Sequence, residues 1–457
     1  MFHFIVLHSQ NVDSSAFYTV KEISIKGNRK TKPRIILREL AYGLNDTLPL
    51  NQVPYFKKRG EQNIFNTQLF IYDTIYPVLN HETKTITVTI SVKERWYVWP
   101  VPVFEIQDRN FNTWWKTKDL FRINYGFALG FENFTGVKDR LVLLFQRGYS
   151  EKYGMSYRIP YLNKAQTLGF NMLYVFGRNN EVTYKTFNNA PLFIRDYGKY
   201  LRSEHEAKVG ITYRPNLYEH TTLEVVYKSM SVEDTVVKLN PDFLGNSSRK
   251  IGYGSLQYRY TFDNRDNKVY PLTGWAFDAW VIKDGFDLSP ASLVNLLHFT
   301  TSVRKHTKIS DRFFVSNLVR ARTMNPDYVS FSFNRALGWN DLVRGYEYYV
   351  MDGQRYVLTT NSFRYQIMKP KILQPRVIGR IKQFSTIPVY AFVNVFFDAA
   401  YVEDKFYNKN NVLNNSWQYG YGVGLDIVSY YDLVMRFEYS FNKQLQHGFF
   451  IHLTSGF

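Results

Sequence analysis

From about Trp96 to the end of the chain, apolar and polar positions alternate with a period of two, segment after segment. In residues 120–133, Ile123, Tyr125, Phe127, Leu129 and Phe131 share one face, opposite Asn124, Gly126, Ala128, Gly130 and Glu132. In residues 432–442, Leu433, Met435, Phe437, Tyr439 and Phe441 oppose Arg436 and Glu438. The last ten residues repeat the pattern, with Phe449, Ile451, Leu453, Ser455 and Phe457 on one side and Phe450, His452, Thr454 and Gly456 on the other. This period predicts strands of about ten to thirteen residues, each with one apolar and one polar face. The connections alternate too: short at 133–138, 160–166, 215–220 and 429–431, longer at 107–119, 179–202, 233–251 and 324–355. Counting strands by this alternation gives sixteen, an even number that returns both ends of the sheet to one rim. The connection at 369–388 breaks the rule, being long where short turns belong, and the sequence offers no physical account of it.

Charged residues facing large apolar ones along a strand fit a polar lumen and a lipid-facing wall. The predicted fold class is mainly β, a sixteen-stranded antiparallel transmembrane β-barrel occupying residues 96–457. A soluble sheet rarely stops on an aromatic residue at a strand tip, because termini fray. A barrel strand supported on both sides can end on Phe457.

Residues 18–95 follow a different pattern. Tyr18 to Lys26 alternate as a strand that meets a Gly27-Asn28 turn, and Lys32-Pro33 opens a helical stretch to about Ala41. A second amphipathic helix is predicted over 52–66, followed by strands over 70–79 and 85–93. The order β-α-α-β-β is enough for one small core with a basic surface. Residues 1–17 precede it as an N-terminal segment. Met1 to Ser9 have a short apolar core without a basic region before it, so both a signal remnant and a frayed terminus fit.

Aromatic residues make up 18% of the 457, with 36 Tyr and 37 Phe. No run of about 18 apolar residues occurs that would cross a membrane as a helix. The formal charge of +18 calls for anionic neighbours such as phosphorylated lipid head groups or acidic polypeptides. No basic block or RNA-binding signature accompanies it, so nucleic acid is not an expected partner. The absence of cysteine removes disulfides and thiolate chemistry. There is no G-x-S-x-G elbow, H-E-x-x-H or P-loop, and the nine His are scattered. An enzyme, a cofactor and a metal are therefore not expected.

Three segments together carry a family resemblance. Val343-Arg344-Gly345-Tyr346 stands in the longest loop. Asp263-Asn264-Arg265-Asp266 leads to Tyr270-Pro271-Leu272-Thr273-Gly274 at a turn, and a later strand carries Phe396-Phe397-Asp398-Ala399-Ala400. In this order, and with the terminal Phe457, they resemble the outer-membrane protein assembly superfamily of BamA/TamA type, the bacterial surface-antigen barrels. The small domain then looks like a single POTRA domain. The resemblance implies that the long loop folds into the barrel and that Arg344 meets Asp398 on the inner wall. The parity agrees: Val389, Ala391, Val393, Val395 and Phe397 make an apolar face that leaves Asp398 inside. Two positions depart from the family. Ser362 or Phe363 stands where a Glu is common, and Ala400 replaces the usual Gly, which predicts a simpler or weaker loop anchor. The turn from Asp263 to Gly274, with Arg265, Asp266, Tyr270 and Pro271, reads from its residues alone as an ordinary hairpin without chemistry.

The first barrel strand contains Pro100 and Pro102 before Val103. Residues two apart aim their N–H groups to one side, so both missing donors lie on one edge. Either that edge meets the final strand (Phe449, Ile451, Leu453, Phe457) as a weak lateral seam, or the prolines only stiffen the link to the small domain. The resemblance implies non-enzymatic insertion of client proteins at the outer membrane through this seam, by strand addition to an exposed edge. Its partners would be unfolded outer-membrane proteins or another exported polypeptide, outer-membrane lipids including anionic lipopolysaccharide, and accessory periplasmic or lipoprotein subunits. The POTRA domain would lie in the periplasm of a Gram-negative bacterium, a mitochondrial outer membrane being the less favoured setting. The alternative is secretion of a dedicated polypeptide through the lumen. Relatives of that kind commonly carry two POTRA domains and a plug helix, for which residues 1–17 are too short.

Overall fold

The computed structural model describes residues 16–106, 118–163, 165–286, 294–374, 387–429 and 433–454. The N-terminal segment before residue 16, most of the 107–119 loop, the tip of the 369–388 connection and Phe457 lie outside them. Two compact units divide near Trp96.

In the first unit, β1 (Phe17–Lys26) is followed by α1 (Pro33–Leu37), β2 (Thr47–Pro49), α2 (Val53–Phe65), β3 (Phe70–Asn80) and β4 (Thr85–Glu94). The sheet order is β2-β1-β4-β3, with β1 parallel to β4 and β3 antiparallel to it. β4 sends Ile86, Val88, Ile90 and Val92 into the core, where Ile35, Ile36, Ile64 and Ile75 are also buried. The first helix is shorter than predicted. After Leu37 the chain tightens, with Glu39 N–H bonded to Ile36 O (3.0 Å) and Leu40 N–H to Leu37 O (3.2 Å). The short strand β2 escaped the sequence reading because three residues ending in proline carry no period.

Asp73 on β3 holds a poorly solvated carboxylate. One of its oxygens is buried without a hydrogen-bond partner. Burial, and then the charge of Glu61, push its pKa up to about 8. Unfolded Asp titrates near 4, so between pH ~4 and ~8 the folded unit holds a proton that the unfolded chain releases. Stability must therefore fall as pH rises through that window. Asp73→Asn should stabilise the unit against opening by at least ~2 kcal/mol more at pH 8 than at pH 5, read from hydrogen exchange of the β3 and β4 amides. Equal pH dependence in both proteins would refute this account.

The second unit opens with β5 (Val98–Ile106), β6 (Ile123–Glu132), β7 (Arg140–Gly148), β8 (Ser150–Ile159) and β9 (Leu168–Asn179). A hairpin, β10 (Glu181–Phe187) and β11 (Ala190–Arg195), interrupts before β12 (Arg202–Tyr213) and β13 (Glu219–Val232). Helix α3 (Asp234–Leu239) precedes β14 (Lys250–Asp263), β15 (Gly274–Asp284), β16 (Leu296–Lys308) and β17 (Phe313–Asn325). The chain continues with β18 (Arg355–Leu373), β19 (Ile387–Glu403), β20 (Gln418–Val428), β21 (Val434–Asn442) and β22 (His447–Thr454). Leaving out the hairpin, these strands form one sheet of 16, each antiparallel to its neighbours, running from β5 to β22. The predicted count and architecture hold: this is the sixteen-stranded barrel.

Its outer face carries the apolar half of each alternation. Tyr125, Phe127, Val209, Ile211, Val225, Tyr227, Val395, Phe397 and Val423 are all exposed, far more apolar surface than a soluble sheet leaves to water. Facing inward, Asn124, Gln257, Asn394, Asp398, Asp426 and Glu438 are buried. The α3 helix and the β10–β11 hairpin correct the expectation of strands alone beyond Trp96. Both sit inside connections, and six or seven residues are too few for a period to declare itself.

Candidate functional site

The loop between β17 and β18 packs against the inner wall, and Arg344 is its hub. Its Nε and Nη2 donate to the two oxygens of Asp398 at 2.7 and 2.6 Å, and its backbone N–H adds a third bond at 3.2 Å. Nη1 reaches Glu438 Oε1 at 3.2 Å, and Nη2 also meets Ser362 Oγ at 3.2 Å and Asn361 O at 3.3 Å. The guanidinium carbon lies 3.9 Å from the centroid of the Phe396 ring, close enough for cation–π attraction. The side chains of Asp398 and Glu438 are 1% and 2% exposed, so both carboxylates depend on this one cation and its neighbours for compensation.

The rest of the motif serves the same docking. Val343 is fully buried with Leu337, Met351, Tyr356, Leu358, Ala400 and Val402. Tyr346 is 1% exposed; its hydroxyl donates to Gln418 Oε1 at 3.0 Å and accepts from Lys443 N–H at 3.3 Å. Gly345 has φ +92°, and a Cβ there would lie 2.9 Å from Phe441 O. Across from it, a Cβ on Gly420 would stand 1.8 Å from Arg344 O, so only glycine lets the loop backbone approach β20.

Where a simpler or weaker anchor was expected, Arg344 meets Asp398, Glu438, Ser362 and the Asn361 carbonyl. The Glu that the sequence lacks near Ser362 is replaced by Glu438 from β21, and Ser362 itself is a ligand of the same guanidinium. Ala400 packs in the cluster under Val343.

Sequence reasoning missed the next residue, Glu347, which is 3% exposed. Its Oε2 accepts from Gly345 N–H at 2.9 Å, and its Oε1 lies 3.6 Å from His452 Nε2 on β22. His452 also lies 3.4 Å from Glu438. Tyr348 packs on Phe450 at 5.5 Å between centroids, and Tyr349 donates to Gln446 at 2.8 Å. The loop thus grips β19, β21 and the final strand together. One signal was available: Gly420, Gly422 and Gly424 leave a smooth stripe on the lumen face of β20.

The Asp263–Gly274 turn is more than a local hairpin. Asp263 pairs with Arg265 through two bonds of 2.8 and 2.7 Å, and Asp266 Oδ1 collects the N–H groups of Asn267, Leu272 and Thr273. This folding pushes Tyr270, 2% exposed, across the lumen to donate to Asp426 Oδ2 on β20 at 2.7 Å. Arg364 of β18 stacks over its ring at 4.6 Å and donates to Pro271 O at 3.1 Å. A turn read without its distant partners could not reveal this reach. The VRGY loop and this turn occupy different places on the inner wall, and Asn394, bonded to Asp426 at 2.8 Å, lies on the same strand as Asp398.

At the seam, Pro100 and Pro102 sit opposite Leu129 and Phe127 in an unbroken register with β6. A proline inside that ladder would interrupt it, so the missing donors face the other edge. Among the described residues no register of partners joins β5 to β22, the two ends of the sheet. On β22, Phe449 and Leu453 are exposed and Ile451 half-buried, while Val103 on β5 is half-buried.

A family model for POTRA, the surface antigen variable number repeat, matches residues 18–95. Among solved structures, the chain is similar to BamA from Haemophilus ducreyi lacking POTRA domains 1-3. That likeness has a TM-score of 0.51 and 15% identity, covering 95% of this chain and 83% of that one. It is also similar to CdiB from Escherichia coli, with a TM-score of 0.50 and 10% identity over 98% of this chain and 91% of that one. A search of the curated proteins finds no match. The resemblance read from the sequence holds for domain and fold: the chain carries one POTRA domain at residues 18–95, followed by a sixteen-stranded barrel of the BamA and CdiB fold.

Proposed function

We propose that the protein is a non-enzymatic assembly factor of the outer membrane. It would insert client polypeptides through a lateral seam between β5 and β22, with the POTRA domain in the periplasm. The observation that carries this reading is the end of the sheet at two strands that share no register among the described residues, one of them bearing two prolines. An incoming strand can pair there by β-augmentation. The strands beside the seam are also short: β5, β7 and β21 have 9 residues each, against 14 in β13 and β14 on the far side. A shorter wall thins the adjacent bilayer and lowers the barrier to insertion.

Insertion is favoured over secretion through the lumen by what fills and covers that lumen. Besides the anchored loop, Asn189 on the β10–β11 turn bonds Val350 O at 3.0 Å, Asn414 Oδ1 at 2.9 Å and the N–H of Leu413 at 3.0 Å. Three connections interlock through this one amide. A polypeptide crossing the lumen would have to undo these contacts, and one entering at the seam would not. Clients would be unfolded outer-membrane proteins, with accessory subunits and anionic lipopolysaccharide as further partners.

The test is reconstitution in liposomes. The protein should accelerate folding of a model barrel and leave a soluble polypeptide outside. Transport of the soluble polypeptide without accelerated folding would replace insertion by secretion.

A further inference from the structure

The two ends of the sheet do not offer a third strand the same edge. Along β5 the alternate positions Val98, Pro100, Pro102, Phe104 and Ile106 turn their backbone away from β6. The prolines have no N–H, so the gap in donors falls in the middle of that edge. β22 reads His447-Gly448-Phe449-Phe450-Ile451-His452-Leu453-Thr454 and contains no proline. Whichever alternate set of its residues turns away from β21 therefore carries every donor and acceptor. The final strand is also held along its length. Its ladder with β21 runs unbroken from Phe441–His447 to Val434–Thr454. From the lumen, Tyr348 packs on Phe450, and His452 lies between Glu347 at 3.6 Å and Glu438 at 3.4 Å. The loop that makes these contacts is itself fixed to β19 through Arg344 and Asp398. An edge already ordered spares an incoming strand the entropy of ordering its partner.

We propose that β22, and not β5, is the template edge of the seam, and that it takes a client strand running from the short-turn rim to the long-loop rim. The inference rests on the insertion reading and says which edge and which strand polarity carry it out. β22 leaves β21 at the long-loop rim and runs towards the short-turn rim. Neighbours throughout this sheet are antiparallel, so a strand added to β22 runs the opposite way. In an up-and-down client barrel that is the course of the first strand. The last strand descends, and antiparallel pairing offers it only the donor-poor edge of β5. Phe449, Ile451 and Leu453 set the face, because a slip of one residue would turn the client's apolar side chains into the lumen. Closure of β5 onto β22 competes for the same edge, and the donors that Pro100 and Pro102 lack weaken this competitor.

The cysteine-free chain allows single cysteines in the full-length protein. Phe449→Cys on β22 is compared with Phe104→Cys on β5 near the long-loop rim, and Leu453→Cys with Val98→Cys near the other rim. Each variant is reconstituted in liposomes with a cysteine-free model barrel bearing one cysteine in its first or its last strand. Mixed disulfides are trapped by brief oxidation while the client folds. The first-strand cysteine should link to the β22 sites at about ten times the yield at the β5 sites, the size expected for two hydrogen bonds. Equal yields on the two edges, links to β5 in excess, or a preference of β22 for the last strand overturns the proposal. Folding of the client is followed in the same samples. Accelerated folding with links to β5 alone sinks the template assignment and leaves insertion standing, whereas unaccelerated folding without links to either edge sinks the insertion reading itself.

Discussion

Arg344→Ala should leave the protein unable to support assembly, with the loop released from the wall. The expected size follows from burial. The guanidinium is the shared partner of Asp398 and Glu438, whose side chains are 1% and 2% exposed. Removing it strands two carboxylates in a space that water reaches poorly, and breaking a buried pair this way costs about 3–5 kcal/mol. The whole arrangement adds little net stability when intact, because desolvation offsets attraction. Its value is register: a fork bound at 2.7 and 2.6 Å fixes where the loop sits on β19. Arg344→Lys should recover only part of the function, since a point charge loses the fork and the stacking on Phe396. Asp398→Asn should resemble the alanine variant, and Glu438→Gln should be milder, having one contact at 3.2 Å to lose. Folded barrel is read from heat-modifiable migration on gels, and function from cellular complementation. Normal complementation by a stably inserted Arg344→Ala protein would end the anchor proposal.

The same pair marks where sequence reading succeeds and where it stops. Strand number, face assignment and the inward aim of Asp398 follow from a period of two, which each strand states independently of its partners. The small domain was legible for the same reason, since β4 alternates Ile86, Val88, Ile90 and Val92 without interruption. What the sequence could not give was the identity of partners across the lumen. Glu438 is 94 residues from Arg344, and no local pattern links them. Tyr270 and Asp426 are 156 apart, so a turn that looked self-sufficient proved to be one end of a tether. Glu347 had no period to betray it, being a single carboxylate in an irregular loop. Elements of about six residues or fewer, such as β2 and α3, are set by tertiary contacts, and their own propensity is too weak to show.

Locking the seam should abolish client insertion while leaving the fold intact. The chain has no cysteine, so pairs can be placed with one partner in Val98–Val103 and one in Phe449–Leu453, then closed by oxidation or a short bismaleimide. A direct disulfide requires Cα atoms about 4.4–6.8 Å apart, which makes a panel of pairs preferable to one. Reduction should restore activity in the oxidised variants, separating the lock from the substitutions themselves. The argument for a large effect is topological. Among the described residues every other strand edge in the barrel is paired, so opening elsewhere would break a ladder of seven or more residue pairs. The β5 edge has two fewer N–H donors to give, because Pro100 and Pro102 sit on it. The final strand gains its second support from the loop, through Glu347, Tyr348 and Tyr349, which can hold it in place without sealing the edge. A locked protein that inserts clients at the full rate would show that they pass elsewhere, and the prolines would then be read as stiffening the approach to the barrel.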